Sequence, residues 1–239
     1  MEIVANPFDS TYLERRVGWL RFATGDGTAA LEAALVRARA EAYEVLFVRV
    51  SDDDPANRVL AAAGHAPVDT LVTSALGAER RVPPPAAAID FAHHAKLEHP
   101  ADVARVRAIT EQTFTSSHLH ADPRIERARI QALYAAWAVN DVTGRAQRTF
   151  VAREGGELVG FLAMLDTGAR VAVDLIAVAA AHQAKGIGGG LLASMIAWLG
   201  DREVLATVGT QVQNPALALY RRCGFLPARR DLTYHLWLA

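Results

Sequence analysis

The sequence predicts an α/β protein in which a smaller N-terminal α/β domain precedes a larger C-terminal one. Three observations carry this. Strand-like and helix-like segments alternate along most of the chain. The run "AERRVPPPAAA", 78–88, breaks that alternation with three consecutive prolines, which disfavour helix and central strand and favour an extended connector. Third, "DPANRVLAAAGHAP" (54–67) lines up with "NPALALYRRCGFLP" (214–227) at a constant offset of 160. Both read as short helix, glycine turn and entry to a strand. Two readings of the offset stay open: two ordinary βαβ pieces with glycine after the helix, or a degenerate duplicate of the C-terminal unit. The expected division is 1–80 and 88–239.

In the first part the pattern predicts a strand at Arg16–Phe22, a helix at Thr28–Ala42 and a strand at Val45–Val50. A helix at Pro55–Ala63 and a strand at Leu71–Ser74 complete it. In the second part "AAIDFAHHA" reads as a strand. "HPADVARVRAITEQTF" reads as a helix with Pro100 and Asp102 in its first turn. "DPRIERARIQALYAAWAVN" reads as another, with Ile125, Ile130, Leu133, Tyr134 and Trp137 near helical spacing. Strands follow at Arg148–Arg153, Leu158–Leu165 and Val171–Val178, the first two joined by the turn "EGGE". A helix (Gly186–Leu199), a strand (Val204–Gln211), a short helix (Pro215–Arg222) and a last strand (Leu232–Leu238) close the chain.

Of the 239 residues, 51% are hydrophobic and 21% charged, enough apolar surface for a sizeable core. A net charge of −1, with no basic run interleaved with aromatics, argues against a nucleic-acid partner. One cysteine, Cys223, excludes an internal disulfide and a cysteine-rich zinc site, and fits a reducing compartment. No run of about 18 apolar residues is present. The first residues show no basic segment followed by an apolar one. The expectation is a cytoplasmic protein without a membrane partner, a monomer or homodimer.

The densest signal is "AHQAKGIGGGLL", which places Gly186, Gly188, Gly189 and Gly190 at the start of a helix. A dinucleotide fingerprint fails here. The first glycine comes eight residues after Val178, Leu191 stands where a third glycine belongs, and Val208 stands where the ribose-binding acid belongs. A nucleoside-triphosphate loop fails because Leu191, not Lys, follows Gly190. What remains is a loop whose bare N–H groups, at a helix N-terminus beside Lys185, favour an anion. Close helix–strand packing would also call for small residues. Each glycine costs a helix roughly 1 kcal/mol relative to alanine, so a compensating use is expected.

"VDLIAVAAAHQAKGIGGGLL" resembles the acetyl-CoA motif of the GNAT superfamily of N-acetyltransferases, with Gln183, Gly186 and Gly188 at its named positions. "NPALALYRRCGF" resembles the second motif of that family, with Asn214, Tyr220, Gly224 and Phe225. The resemblance covers 88–239 and implies a mixed central sheet, splayed between two strands and flanked by helices. It implies acetyl-CoA as co-substrate. The pantetheine arm would run along Ile176, Ala177 and Val178 like an added strand. The pyrophosphate would lie on Gln183, Ala184, Lys185, Gly186, Ile187, Gly188 and Gly189, with Asn214 at the second motif. A primary amine would attack the thioester directly, with Tyr220 as general acid to the leaving thiolate. Some members carry a Glu at the position of Ala172. Asp174, two residues on and on the same strand face if no bulge intervenes, is the candidate base.

The segment "TSSHLHADPRIERARIQALYAAWAVND" is similar to a signature of acetyltransferases related to TDP-fucosamine acetyltransferase, which also carry an extra N-terminal domain. That resemblance implies a small amine acceptor, an amino sugar on a nucleotide, held by Ser117, His118, His120 and Asp122. His118 stands where the signature has Arg, a departure at an expected phosphate contact. Two further readings stay open: acetylation of a protein N-terminus or lysine, and a non-catalytic CoA-binding regulatory module. His118 and His120 lack partners with metal-ligand spacing, so no metal is expected.

Overall fold

The computed structural model describes residues 1–80 and 89–238. The proline connector lies outside the described residues. In chain order the elements are β1 (Glu2–Ala5), α1 (Pro7–Leu13), β2 (Val17–Arg21), α2 (Thr28–Ala40), β3 (Val45–Ser51), α3 (Ala56–Ala62) and β4 (Asp69–Leu76). Then come β5 (Asp90–His94), α4 (Pro100–Thr113), α5 (Arg127–Asn140), β6 (Arg148–Glu154), β7 (Glu157–Asp166) and β8 (Arg170–Val178). The last are α6 (Ile187–Leu199), β9 (Leu205–Gln211), α7 (Ala216–Arg222) and β10 (Leu226–Trp237). These form two compact units. The first is Met1–Val72 with Ser116–Leu133 and Arg229–Ala239; the second is Thr73–Thr115 with Tyr134–Ala228.

In the first unit β1 and β2 are antiparallel, β2 and β3 parallel, and β3 pairs antiparallel with β10 from Asp231↔Ser51 to Trp237↔Val45. β3 reads VLFVRVS because a strand paired on both edges and covered on both faces needs apolar side chains on each. Leu46 and Val48 meet Leu20, Leu31, Leu60 and Leu236 in one core. The spacing reading assigns nothing before Arg16, yet β1 and α1 are there. Their signal was legible: Asn6 caps α1 by accepting from the Asp9 N–H (3.2 Å), and Pro7 opens the helix.

The second unit is an antiparallel run β5–β6–β7–β8, with β9 added parallel to β8 through α6. α6 is apolar nearly all round, and Leu191, Leu192, Met195 and Ile196 are buried in a core with Phe150, Leu162, Ala206 and Phe225. β10 starts six residues before the expected Leu232. Its first five residues are exposed and include Arg229 and Arg230, so no apolar alternation marks them. α5 starts at Arg127, because the Asp122 carboxylate accepts from the Arg124 N–H (3.1 Å) and holds the preceding residues in a turn. No helix of the described residues is long and apolar enough to cross a membrane.

The four glycines of the 186–190 cluster are not equivalent. A Cβ on Gly190 would stand 2.2 Å from the Phe91 ring, whereas on Gly189 it would meet Leu219 at 3.7 Å. Gly190 is the packing glycine. Gly190→Ala should destabilise the fold by about 1–3 kcal/mol through overpacking, despite the helix propensity gained. Gly189→Ala should leave thermal unfolding nearly unchanged. Equal midpoints for the two variants would refute this assignment.

Candidate active site

The site begins where a ladder ends. β8 pairs with β9 from Arg170↔Leu205 to Val173↔Val208 and no further. Beyond that it pairs with β7 alone, up to Gly160↔Val178. Ile176, Ala177 and Val178 therefore present a backbone edge toward the diverging β9, where an extended amide-bearing chain can add as a strand. The divergence has a local cause. The β7–β8 register shifts between Ala163↔Leu175 and Met164↔Val173, so Asp174 is an extra, unopposed residue. Such a bulge bends its strand and increases twist. The expectation for Asp174 assumed no bulge, and that is corrected: the bulge sits on Asp174 itself. Burial still alternates, with Ala172, Asp174, Ile176 and Val178 half-buried and their neighbours buried.

After β8 the chain makes a short 3-10 turn (Ala180–His182), and Gln183 Nε2 donates back to the Val178 carbonyl at 3.1 Å. Ala184 (φ 61°) and Gly186 (φ 82°) are left-handed, which turns the chain into α6. No side chain caps α6. Its first hydrogen bond runs from the Gly190 N–H to the Gly186 carbonyl, so the N–H groups of Ile187, Gly188 and Gly189 precede the ladder. Gly188 and Gly189 are half-buried, while the Ile187 side chain is in the core and only its backbone faces the turn. Lys185 stands 3.5 Å from Glu154, which also contacts His182 Nε2 at 2.9 Å. Unpaired N–H groups at an uncapped helix N-terminus can hold an anion, and glycine leaves the backbone open to close approach.

Asn214 accepts from the Ala216 N–H at 2.9 Å and so fixes the start of α7. α7 carries Tyr220, which is 3% exposed, with its ring 6.4 Å from that of Phe225. Burial, with a smaller contribution from Cys223, pushes the Tyr220 hydroxyl well above the ordinary phenol range. It therefore holds its proton at every physiological pH.

Asp174 is not a solvated edge residue. Trp137 Nε1 donates to its Oδ2 at 2.7 Å, and Arg145 Nη1 donates to the same oxygen. The same Arg145 nitrogen donates to Asp141, a fully buried carboxyl that spacing did not single out. Phe114, Tyr134 and Trp137 stack in sequence, with centroids 5.2 and 5.6 Å apart.

Ser117, His118, His120 and Asp122 lie together in the first unit. Ser117 Oγ meets His120 Nδ1 at 2.8 Å. His118 Nδ1 lies 2.9 Å from His235 Nε2, and His235 Nδ1 lies 2.8 Å from Asp122 Oδ2. Trp237 Nε1 donates to that same oxygen at 2.8 Å, and Arg124 grips both carboxylate oxygens. Burial alone would raise the Asp122 carboxyl, but hydrogen bonds from Arg124, Trp237 and His235 hold it well below the usual range. An ionised Asp122 fixes the tautomers. His235 donates from Nδ1 and accepts at Nε2 from His118, which leaves His118 Nε2 as the bare nitrogen. Burial depresses both imidazoles, most strongly that of His118, which packs on Phe47 and Trp19. A cavity of about 360 Å³ opens beside His120, Pro123, Glu126 and Arg127. His235 and Trp237 alternate on the expected last strand, so period two alone put them on one face; what they face could not be read. Among the described residues no cluster of three or more His, Cys, Asp or Glu is placed to hold a metal ion.

The acetyltransferase (GNAT) family model matches residues 103–225. The chain is 31% identical over 140 residues to the spore coat polysaccharide biosynthesis protein SpsD of Bacillus subtilis (strain 168). The match takes 58% of this chain and 48% of that protein, so it spans about half of the relative. Among solved structures, a functionally unknown conserved protein of Staphylococcus epidermidis aligns with a TM-score of 0.66 at 11% identity, over 95% of this chain and 87% of its own. A GCN5-related N-acetyltransferase of Sphaerobacter thermophilus aligns at 0.63 and 17% identity, over 99% and 76%. At these identities the likeness is one of fold. With the splayed strands and the glycine-led helix in place, and with the family model matching more than half of its length, the chain belongs to the GNAT acetyltransferase family.

Proposed function

We propose that the chain transfers the acetyl group of acetyl-CoA to the primary amine of a small acceptor, an amino sugar borne on a nucleotide. The observation that carries the transfer is the open β8 edge at Ile176–Val178, leading directly into the uncapped, glycine-started α6. In this reading the edge takes the pantetheine amides, and the N–H groups of Ile187, Gly188 and Gly189, with Gln183, Ala184, Lys185 and Gly186, take the pyrophosphate. Tyr220 gives its proton to the departing thiolate, and Asp174 receives one from the acceptor ammonium. The saccharide acceptor draws its support from the polysaccharide role in the name of the Bacillus relative. Ser117, His118, His120 and Asp122 are assigned to that acceptor. The support for that assignment is the resemblance of their segment, in which His118 lacks the charge an Arg would bring to a phosphate. The test is calorimetric binding of acetyl-CoA, followed by CoA release across a panel of free and nucleotide-linked amino sugars. Release with lysine peptides and with no amino sugar would refute the acceptor; no binding of acetyl-CoA would refute the whole reading.

We further propose that 1–80 is a degenerate GNAT-like unit that binds no CoA. β3 and β9 (Val45–Ser51, Leu205–Gln211) and α3 and α7 (Ala56–Ala62, Ala216–Arg222) repeat at the same offset of 160 residues. Asp54 caps α3 through the Ala56 N–H (2.8 Å) as Asn214 caps α7, and Gly64 (φ 80°) repeats Gly224 (φ 87°). Leu60 stands at the position of Tyr220. Ahead of α2 stand Gly25 and Gly27, but Phe22 holds the place of Gln183 relative to the first glycine. The Asp26 carboxylate between the glycines accepts from the Ala23 N–H at 2.7 Å and pairs with the Met1 ammonium at 3.1 Å, so the turn is closed on an acid of its own. The expected stoichiometry is one acetyl-CoA per chain, and a measured value of two would overturn this assignment.

A further inference from the structure

Asp141 opens a five-residue π turn, Asp141–Arg145, directly after α5. It is 0% exposed, and its Oδ2 has no hydrogen-bond donor. Its Oδ1 and the Oδ2 of Asp174 converge on a single nitrogen, Nη1 of Arg145. Trp137, one turn back on α5, is hydrogen-bonded to the same Asp174 oxygen and closes that side. One guanidinium nitrogen cannot neutralise two converging carboxylates, and two such groups so close do not both ionise readily. The bulge sets Asp174 where β8 leaves β9, so one end of this pair lies at the open edge and the other is sealed from water.

We propose that Asp141 and Asp174 form a proton-sharing pair that takes up the proton the acceptor ammonium must lose before it attacks. Asp174 is the catalytic residue facing the amine, and Asp141 is a positioning residue that stores the proton. The inference rests on the transfer reading above. In the step, an N–H bond of the ammonium breaks, its electron pair stays on nitrogen, and the proton goes to a carboxylate oxygen of the pair. With Arg145, the cluster passes from one net negative charge to neutrality. The nitrogen loses a second proton in becoming an amide, and this balances the one that Tyr220 gives to the thiolate.

The surroundings leave this proton to the pair. Burial first, then the Asp174 charge, push the Asp141 carboxyl up to about 7 against the pull of Arg145. β6 and β7 pack on the π turn, but their charged groups are engaged elsewhere: Arg153 with Asp102, Asp166 with Arg202, Glu157 with Arg105, and Arg148 over the Trp198 ring. Glu154 faces His182 and Lys185. Leu97 donates to the Val142 carbonyl, and its neighbours Lys96 and Glu98 pair with each other.

The test has two arms. In the first, aspartate 13Cγ resonances of the CoA-bound protein are titrated by NMR, which requires no acceptor. Two carboxyls should titrate as a coupled pair with one step near pH 7, and Asp174→Asn should abolish the coupling and move the remaining Asp141 step downward, while burial keeps it above the ordinary carboxylate range. Independent titration of both below pH 5 would overturn the proposal whatever the acceptor proves to be. In the second arm, the pH dependence of kcat/KM is measured with the amino sugar that releases CoA fastest. Asp141→Asn keeps the shape and the Arg145 contact, and should remove the inflection near pH 7 and lower the rate at pH 8 by about a hundredfold, with acetyl-CoA affinity within twofold. An unchanged profile would overturn it. If no amino sugar is acetylated but the coupled titration is present, the acceptor reading fails and the shared proton stands.

Discussion

Tyr220→Phe is expected to lower kcat by about a hundredfold while leaving the dissociation constant for acetyl-CoA within about twofold. General acids contribute roughly 10²–10⁴-fold. The low end applies because a thiol has an ordinary pKa of about 8.5, so its thiolate departs with only partial help. Removing one oxygen leaves the ring in the core beside Phe225, so packing and the open edge of β8 are preserved. Burial holds the Tyr220 proton to high pH, so the wild-type rate should show no alkaline loss from this group up to about pH 10. Equal losses in affinity and turnover would assign Tyr220 to packing. An unchanged kcat would give the proton donation to another group.

The second large effect is on stability. Asp122→Ala removes the common acceptor of Arg124, His235 and Trp237 from a site where Asp122 is 2% exposed. Breaking one partner out of a buried ionic network costs about 3–5 kcal/mol, which for a chain of this size lowers the unfolding midpoint by roughly 10 °C. Asp122→Asn should recover part of this, because the amide oxygen still accepts. A midpoint within 2 °C of wild type for the alanine variant, in a thermal scan, would refute the network.

The same network sets a pH dependence. The folded imidazoles of His118 and His235 sit below the unfolded value of 6.5, so the unfolded chain binds protons first. Their contribution is complete above pH 6.5 and is lost as pH falls. Asp122, depressed below 3.8, adds a second loss at lower pH. Asp9 and Asp141 act in the opposite sense. Their folded carboxyls keep a proton up to about 6 and about 7, so they favour the fold as pH drops. The histidine contribution is therefore read from the difference between wild type and His118→Phe, measured by denaturant unfolding from pH 8 to pH 5. The gap should narrow as pH falls.

Much of the site was legible because its signals are local. Glycines before a helix, a glutamine three residues ahead of them, and an asparagine capping a tyrosine-bearing helix each act within one turn of chain. Short-range sterics and backbone hydrogen bonding dictate them, and it is on such local motifs that the family resemblance singled out Gln183, Gly186, Asn214 and Tyr220. The alternating α/β order was legible too, because its apolar periods follow from which faces are covered.

Long-range pairings were not legible. That Gly190 serves Phe91 rather than a ligand depends on β5 crossing α6. That Asp174 bulges depends on the register of β7. Asp122 meets His235 across 113 residues and Asp141 meets Asp174 across 33, separations that carry no period. By itself the sequence carried the family resemblance, and with it the expectation of acetyl-CoA as donor, because its two motifs are local stretches of chain around Gln183–Gly188 and Asn214–Phe225. Only the tertiary structure decided which carboxyls and imidazoles share protons, because a pKa is set by burial and by charges a few ångströms away, and those neighbours are chosen by the fold.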